Sequence, residues 1–109
     1  MTKVDEKKLE LESRLFAILG QPTRLRLLYM LRDRELCVCK INPAMREDQS
    51  VISRHLGKLR DMGLLASRKE GVSVYYSIAE PAVFELLENA NGLLRTIVER
   101  QAREAVEAL

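Results

Sequence analysis

Two cysteines, Cys37 and Cys39, stand one residue apart in "ELCVCKIN". Thiolates are soft donors that suit soft or thiophilic ions, and two thiols this close can also oxidise to a disulfide or be modified singly. Two cysteines cannot build a disulfide framework. In a reducing compartment they would stay free for such chemistry. On a regular helix, side chains two positions apart diverge by about 200°, so this pair needs irregular backbone to grip one atom. Pro43 offers two ways to supply it. Its ring clashes with the carbonyl four residues back, that of Cys39, and would distort a helix there. Alternatively, Asn42-Pro43 starts a short helix and the cysteines lie in the preceding turn. A trigonal thiophilic centre held by two protein sulfurs would keep one position for an outside ligand, such as a small external thiol, a hydroxide or a carbon it already carries. Cadmium and zinc usually take four ligands. Met45 is a weak thioether neighbour, better placed in a core.

A second constellation begins ten residues later. In "DQSVISRHLGKLRDMG", Ile52, Leu56 and Leu59 make one apolar face, Asp48 is suited to cap the start, and Gly63 is suited to end the helix. The opposite side of its first two turns carries Gln49, Ser50, Ser53 and Arg54. Gln pairs with adenine, Arg with guanine, and Ser with bases or phosphates. Gly57 leaves that face low. Arg68 and Lys69 near the next turn are placed for phosphate or the minor groove. His55 is the sole histidine and reads as packed or phosphate-bound rather than metal-ligating.

The surrounding elements fit a scaffold for such a helix. Leu11, Leu15 and Ile18 recur at helical spacing, with Phe16 and Leu19 widening the stripe and Gly20 ending it. Pro22 suits a first helical position, and Leu25, Leu28 and Leu31 share a face. A short third helix is expected within "LCVCKINPAMR". "LLASRKEGVSVYYSI", rich in β-branched and aromatic residues around Glu70-Gly71, predicts a β-hairpin. From Pro81 the pattern is helical again, with Asn91-Gly92 a place to break or kink. Leu87, Leu94, Ile97 and Val98 exceed what a small core covers, so this helix needs a partner. Helix, helix, short helix, capped helix, hairpin, helix is the order of a winged helix-turn-helix, mainly α with a β-hairpin wing. The whole chain, 1–109, reads as one such domain with terminal helices for homodimerisation.

The 109 residues are 47% hydrophobic and 31% charged, with formal net charge +2, an ordinary globular profile. Charge is partitioned: Arg46 to Lys69 holds six basic and three acidic residues, and Glu80 to the end holds six acidic and three basic. A basic middle suits a polyanion. No apolar run is long enough to span a bilayer, and "MTKVDEKKLELE" lacks a secretory stretch, so a cytoplasmic, non-membrane protein is expected. There is no Gly-rich phosphate loop, no GxSxG elbow and no histidine pair, which argues against an enzyme and against a catalytic cofactor.

In order and spacing, "LGQPTRLRLLYML", "ELCVC", "QSVISRHLGKLRDMGLL" and "SRKEGVSVYYSI" resemble the ArsR/SmtB family of metal-responsive repressors over roughly residues 13–80. "ELCVC" is similar to the segment used by the family's arsenic, cadmium and lead sensors. The resemblance implies a homodimer joined through the first and last helices. That dimer would repress at an imperfect inverted repeat in double-stranded operator DNA and release it when inducer binds Cys37 and Cys39. The implied inducer is trivalent arsenic (arsenite or methylarsenite) or antimony. The alternatives are a redox-sensing repressor using the same dithiol and a cadmium- or lead-responsive one. Where similar arsenite sensors carry a third cysteine, this chain has Asn42. The cysteines of the cadmium and lead sensors' N-terminal extension have no counterpart in residues 1–36, and no histidine follows His55 to supply the family's last-helix zinc site.

Overall fold

A computed structural model describes residues 5–109. Helix α1 spans Glu6–Leu19. The Asp5 carboxylate accepts from the backbone N–H groups of Lys7 and Lys8 at 3.0 and 3.3 Å, and the Gly20 N–H closes the helix on the Phe16 carbonyl. Helix α2, Pro22–Met30, starts with Pro22 in its first turn, and Gln21 makes no side-chain cap. Then come strand β1 (Leu36–Cys37), helix α3 (Val38–Ala44) and helix α4 (Gln49–Met62). Gly63, at φ +95°, ends α4 in the left-handed conformation that glycine adopts without strain. The Leu64 and Gly63 N–H groups return to the carbonyls of Leu59 and Arg60.

The core lies where α1, α2, α4 and the sheet meet. Leu27, Leu28, Leu31, Ile41, Ile52, Leu56 and Leu59 are fully buried in it, and Met45 joins their cluster. Of the α2 leucines, Leu28 and Leu31 are buried as their spacing predicts, Leu25 is partly buried, and Leu27 widens the stripe.

The wing has three strands. β2 (Leu65–Glu70) and β3 (Ser73–Ile78) form the expected hairpin, turning through Gly71 at φ +62°. β1 adds to the other edge of β3, giving the order β1-β3-β2, all antiparallel. A two-residue strand has no alternation to read, so pairing of Leu36-Cys37 with the wing is a structural finding.

Helix α5, Val83–Glu107, runs unbroken through Asn91-Gly92. Of the break or kink that Asn91-Gly92 offered, no break occurs. A single glycine costs a helix interior about 1 kcal/mol, and good helix formers on both sides outweigh it. Leu87 belongs to the core rather than to the uncovered stripe. Leu93, Leu94 and Val98, at 56–62% exposure, and Leu11 and Phe16 of α1, at 50% and 54%, face outward. The Cα radius of gyration is 17.7 Å, against about 13 Å for a compact domain of this length. The excess comes from α5, about 37 Å long at 1.5 Å per residue, projecting from the body. No helix among the described residues is long and apolar enough to cross a membrane.

Candidate dithiol site and nucleic-acid interface

The two cysteines sit where β1 becomes α3. Cys37 ends the strand and caps the helix with extended backbone, φ −79° and ψ 156°, and is buried. Cys39 lies in the first turn of α3 and is exposed. Because the chain passes from strand to helix between them, the divergence of an ideal helix does not apply. Their Cα atoms are 5.1 Å apart and their sulfurs are joined as a disulfide. Neither expected role of Pro43 accounts for this. Asn42-Pro43 does not start α3, which begins at Val38, and Pro43 sits inside its last turn, beyond both cysteines. The irregular backbone that lets the sulfurs meet comes from the strand-to-helix junction.

Asn42 is three residues after Cys39 on α3. Its Oδ1 is buried and has no hydrogen-bond partner among the described residues. Asn42 and Cys39 line one open groove with Val38, Pro43, Gln49, Ser53 and the end of the wing turn with the start of β3, Val72–Val74. No group of three or more His, Cys, Asp or Glu side chains suited to a metal ion occurs among the described residues.

On α4, Ile52, Leu56 and Leu59 are buried as their period requires, and Gln49, Ser50, Ser53 and Arg54 are exposed on the opposite side. Asp48 holds the capping position through its backbone, its carbonyl accepting from Val51 and Ile52 at 3.0 and 3.1 Å, but its side chain makes no cap bond. The N-terminal N–H groups are thus not covered by a carboxylate. Lys69 is exposed on β2. Arg68 is engaged: its Nη2 and Nε donate to both carboxylate oxygens of Glu35 at 2.7 and 2.9 Å, its Nη1 donates to Glu70 at 2.8 Å, and its guanidinium lies 4.5 Å over the Tyr75 ring. These bonds hold the Glu35 carboxyl below its usual pKa and the guanidinium above its own. Sequence reasoning did not find Glu35, because nothing local marks a partner 33 positions away.

His55 is packed rather than free. Arg24, a buried residue of α2, donates its Nε to His55 Nδ1 at 2.9 Å and its Nη1 to the Ile18 carbonyl at 3.1 Å. Three helices meet in that pair of bonds. Burial pushes the His55 pKa down. Arg24, Arg54 and Lys58 push the same way, and Glu47 opposes them.

The profile of the bacterial regulatory proteins of the arsR family matches residues 21–67, from the start of α2 into β2. An HTH-type transcriptional regulator of Methanocaldococcus jannaschii is 36% identical over 88 residues, covering 80% of this chain and 99% of the relative. The arsenical resistance operon repressor of Escherichia coli is 46% identical over 66 residues, which are 60% of this chain and 56% of the repressor. The match thus spans little more than half of that curated relative. Among solved structures, Rv0081 of Mycobacterium tuberculosis superposes with TM-score 0.79 at 31% identity, covering 90% of this chain and 99% of that one. A homodimeric winged helix-turn-helix DNA-binding domain from Mycobacterium bovis superposes with TM-score 0.67 at 27% identity, covering 91% of each chain. With the winged fold, an outward polar face on α4 and these relatives in agreement, the chain belongs to the arsR family of DNA-binding transcriptional regulators.

Proposed function

We propose that this regulator is a homodimeric repressor that releases its operator when a trivalent arsenical, arsenite or methylarsenite, bonds to Cys37 and Cys39; antimonite has the same chemistry. The observation that carries the reading is the convergence of both sulfurs at the junction of β1 and α3. Side chains that close to a disulfide need only small torsional changes, once reduced, to take one atom between them. Two thiolates suit a thiophilic metalloid with one non-protein substituent. A tetrahedral cadmium or zinc ion would ask for more donors. The similarity to the E. coli arsenical resistance operon repressor supports the same inducer class.

In this reading Gln49, Ser50, Ser53 and Arg54 enter the major groove of an imperfect inverted repeat, and Lys69 meets phosphate. Arg68, tied to the Glu35 and Glu70 carboxylates, braces the wing, and its charge is already offset there. The outward apolar residues of α1 and α5 form the dimer contact, in keeping with the homodimeric M. bovis relative.

A second reading has a specific observation in its favour. The two sulfurs converge to within reach of a disulfide, a geometry that also suits oxidation of the dithiol itself as the signal. Titrating the reduced protein on its own promoter DNA with arsenite, methylarsenite and peroxide separates the two. Release by the arsenicals supports the first reading, and release by peroxide alone overturns it for the second. Replacing both cysteines with serine should leave operator binding intact and abolish release; a double-serine protein that still responds refutes both.

A further inference from the structure

Asn42 has an unusual environment for a polar side chain near a surface groove. Its Oδ1 is out of reach of bulk solvent and accepts no hydrogen bond among the described residues. Buried polar atoms are nearly always paired, so an orphan calls for a physical explanation. Three positions separate Asn42 from Cys39 within α3. Side chains at that spacing are neighbours on one helix face, their Cβ atoms about 5–6 Å apart. Both also line the groove between α3, α4 and the wing turn. An atom held by the Cys39 sulfur lies on the helix face that Asn42 shares, and a side-chain rotation that turns the amide toward the groove would bring Oδ1 to a further small substituent on that atom.

We propose that Asn42 is a specificity-determining residue for the third substituent on a dithiol-held arsenic, its buried Oδ1 accepting a hydrogen bond from an arsenic-bound hydroxyl. The inference rests on the arsenical reading of Cys37 and Cys39. Two equivalents of a small external thiol first reduce the Cys37–Cys39 bond and leave as their own disulfide. Arsenous acid, with three hydroxyls, then exchanges two of them for the two sulfurs. Each thiol proton departs with a displaced hydroxyl as water, and arsenic stays trivalent with one hydroxyl. That hydroxyl is a donor, and the amide oxygen is an acceptor without a donor. Methylarsenite, with two hydroxyls and a methyl group, loses both hydroxyls in the same exchange. Its remaining substituent is the methyl carbon, which donates nothing. The amide oxygen therefore favours arsenite and is indifferent to the methylated form.

The test measures dissociation constants of both arsenicals for the reduced dimer, from thiolate-to-arsenic charge-transfer absorbance, for wild type, Asn42→Ala and Asn42→Ser. Asn42→Ala should weaken arsenite about tenfold, the scale of one lost hydrogen bond, and leave methylarsenite within about twofold. Asn42→Ser, which keeps a small acceptor, should fall between. Because either variant could disturb α3, the side-chain carbonyl resonance of Asn42 in the wild-type protein gives an independent readout. It should shift with arsenite and not with methylarsenite. If both arsenicals bind wild type and the substitutions weaken both equally or neither, or if the resonance responds alike to both, Asn42 does not select the substituent. If neither arsenical binds the reduced wild-type protein, the arsenical reading itself falls and this inference falls with it.

Discussion

Arg68 of the wing and Glu35, two residues before Cys37, are joined by a two-pronged ion pair with contacts of 2.7 and 2.9 Å. The sheet repeats the connection through backbone, since Tyr75 pairs with Cys37 on one side and with Arg68 on the other. The dithiol is thus fastened to the wing as well as preceding the recognition helix. In the proposed function, a ligand that rearranges β1 and the first turn of α3 would pull on both α4 and the wing, and any such coupling must act equally from DNA to ligand.

Glu35→Gln tests the side-chain part of that connection. It keeps the shape, removes the charge and loosens the hold on Arg68. Operator affinity without inducer should change little. The inducer's effect on that affinity, on the order of 5- to 150-fold in coupled systems, should shrink by about threefold or more. An unchanged ratio of affinities with and without inducer, by fluorescence anisotropy, would show that Glu35 plays no part in transmission.

Much of this architecture was legible in the sequence, for a local reason. The stripe of Ile52, Leu56 and Leu59, Gly63 after it, and Glu70-Gly71 between β-rich runs each state their structure within a few residues, and each is found where expected. The outward set from Gln49 to Arg54 follows directly, being the complement of a buried face. The features that escaped are those made by distant pairing. Leu36-Cys37 becomes a strand because β3 offers an edge, Glu35 finds Arg68 across 33 positions, and Arg24 finds His55 across 31. Irregular backbone at the cysteines was expected, but its source was missed for the same cause. The start of α3 at Val38 is set by β1 docking rather than by a local breaker such as Pro43.

The burial of His55, with Arg24 beside it, makes stability depend on pH. The folded protein favours neutral His55, chiefly through burial and then through Arg24, so the unfolded chain takes up the proton first as pH falls. The contribution is complete above the ordinary histidine value near 6.5 and is lost as pH drops from there through the lower folded value. Tm should fall as pH drops below the ordinary histidine value near 6.5, and His55→Gln should flatten that part of the profile. His55→Leu, which leaves the buried Arg24 Nε without its acceptor, should cost about 1–3 kcal/mol at neutral pH, read by denaturant unfolding. Equal pH profiles for wild type and His55→Gln would remove His55 from the account.

On the DNA side, two substitutions should behave differently. Arg54→Ala should weaken operator binding by about 1–3 kcal/mol and relax preference at one base position if the side chain is bidentate to guanine. Lys69→Ala should weaken operator and random DNA alike and lower the slope of log affinity against log salt by about 1. Anisotropy titrations on both DNAs at several salt concentrations distinguish them. If Arg54→Ala lowers both affinities by the same factor, Arg54 is a phosphate contact and base reading lies with Gln49 and the serines.

The exposed stripe on α5 makes the most direct demand on assembly. Leu94 and Val98 are four residues apart on one helix face, both more than half exposed, on a segment that the chain's own core does not cover. The outward Leu11 and Phe16 on α1 give the same composition. Apolar surface gains roughly 25 cal/mol for each Å² removed from water, so the proposed dimer would gain by burying the stripe against a second copy. Leu94→Glu with Val98→Glu places charges on that surface and should yield monomers by sedimentation at micromolar concentration. Far-UV circular dichroism should stay close to wild type, because neither residue belongs to the core cluster. Operator affinity should collapse with the dimer, since one winged domain reads only a half-site. A double-glutamate protein that still sediments as a dimer would move the interface off α5.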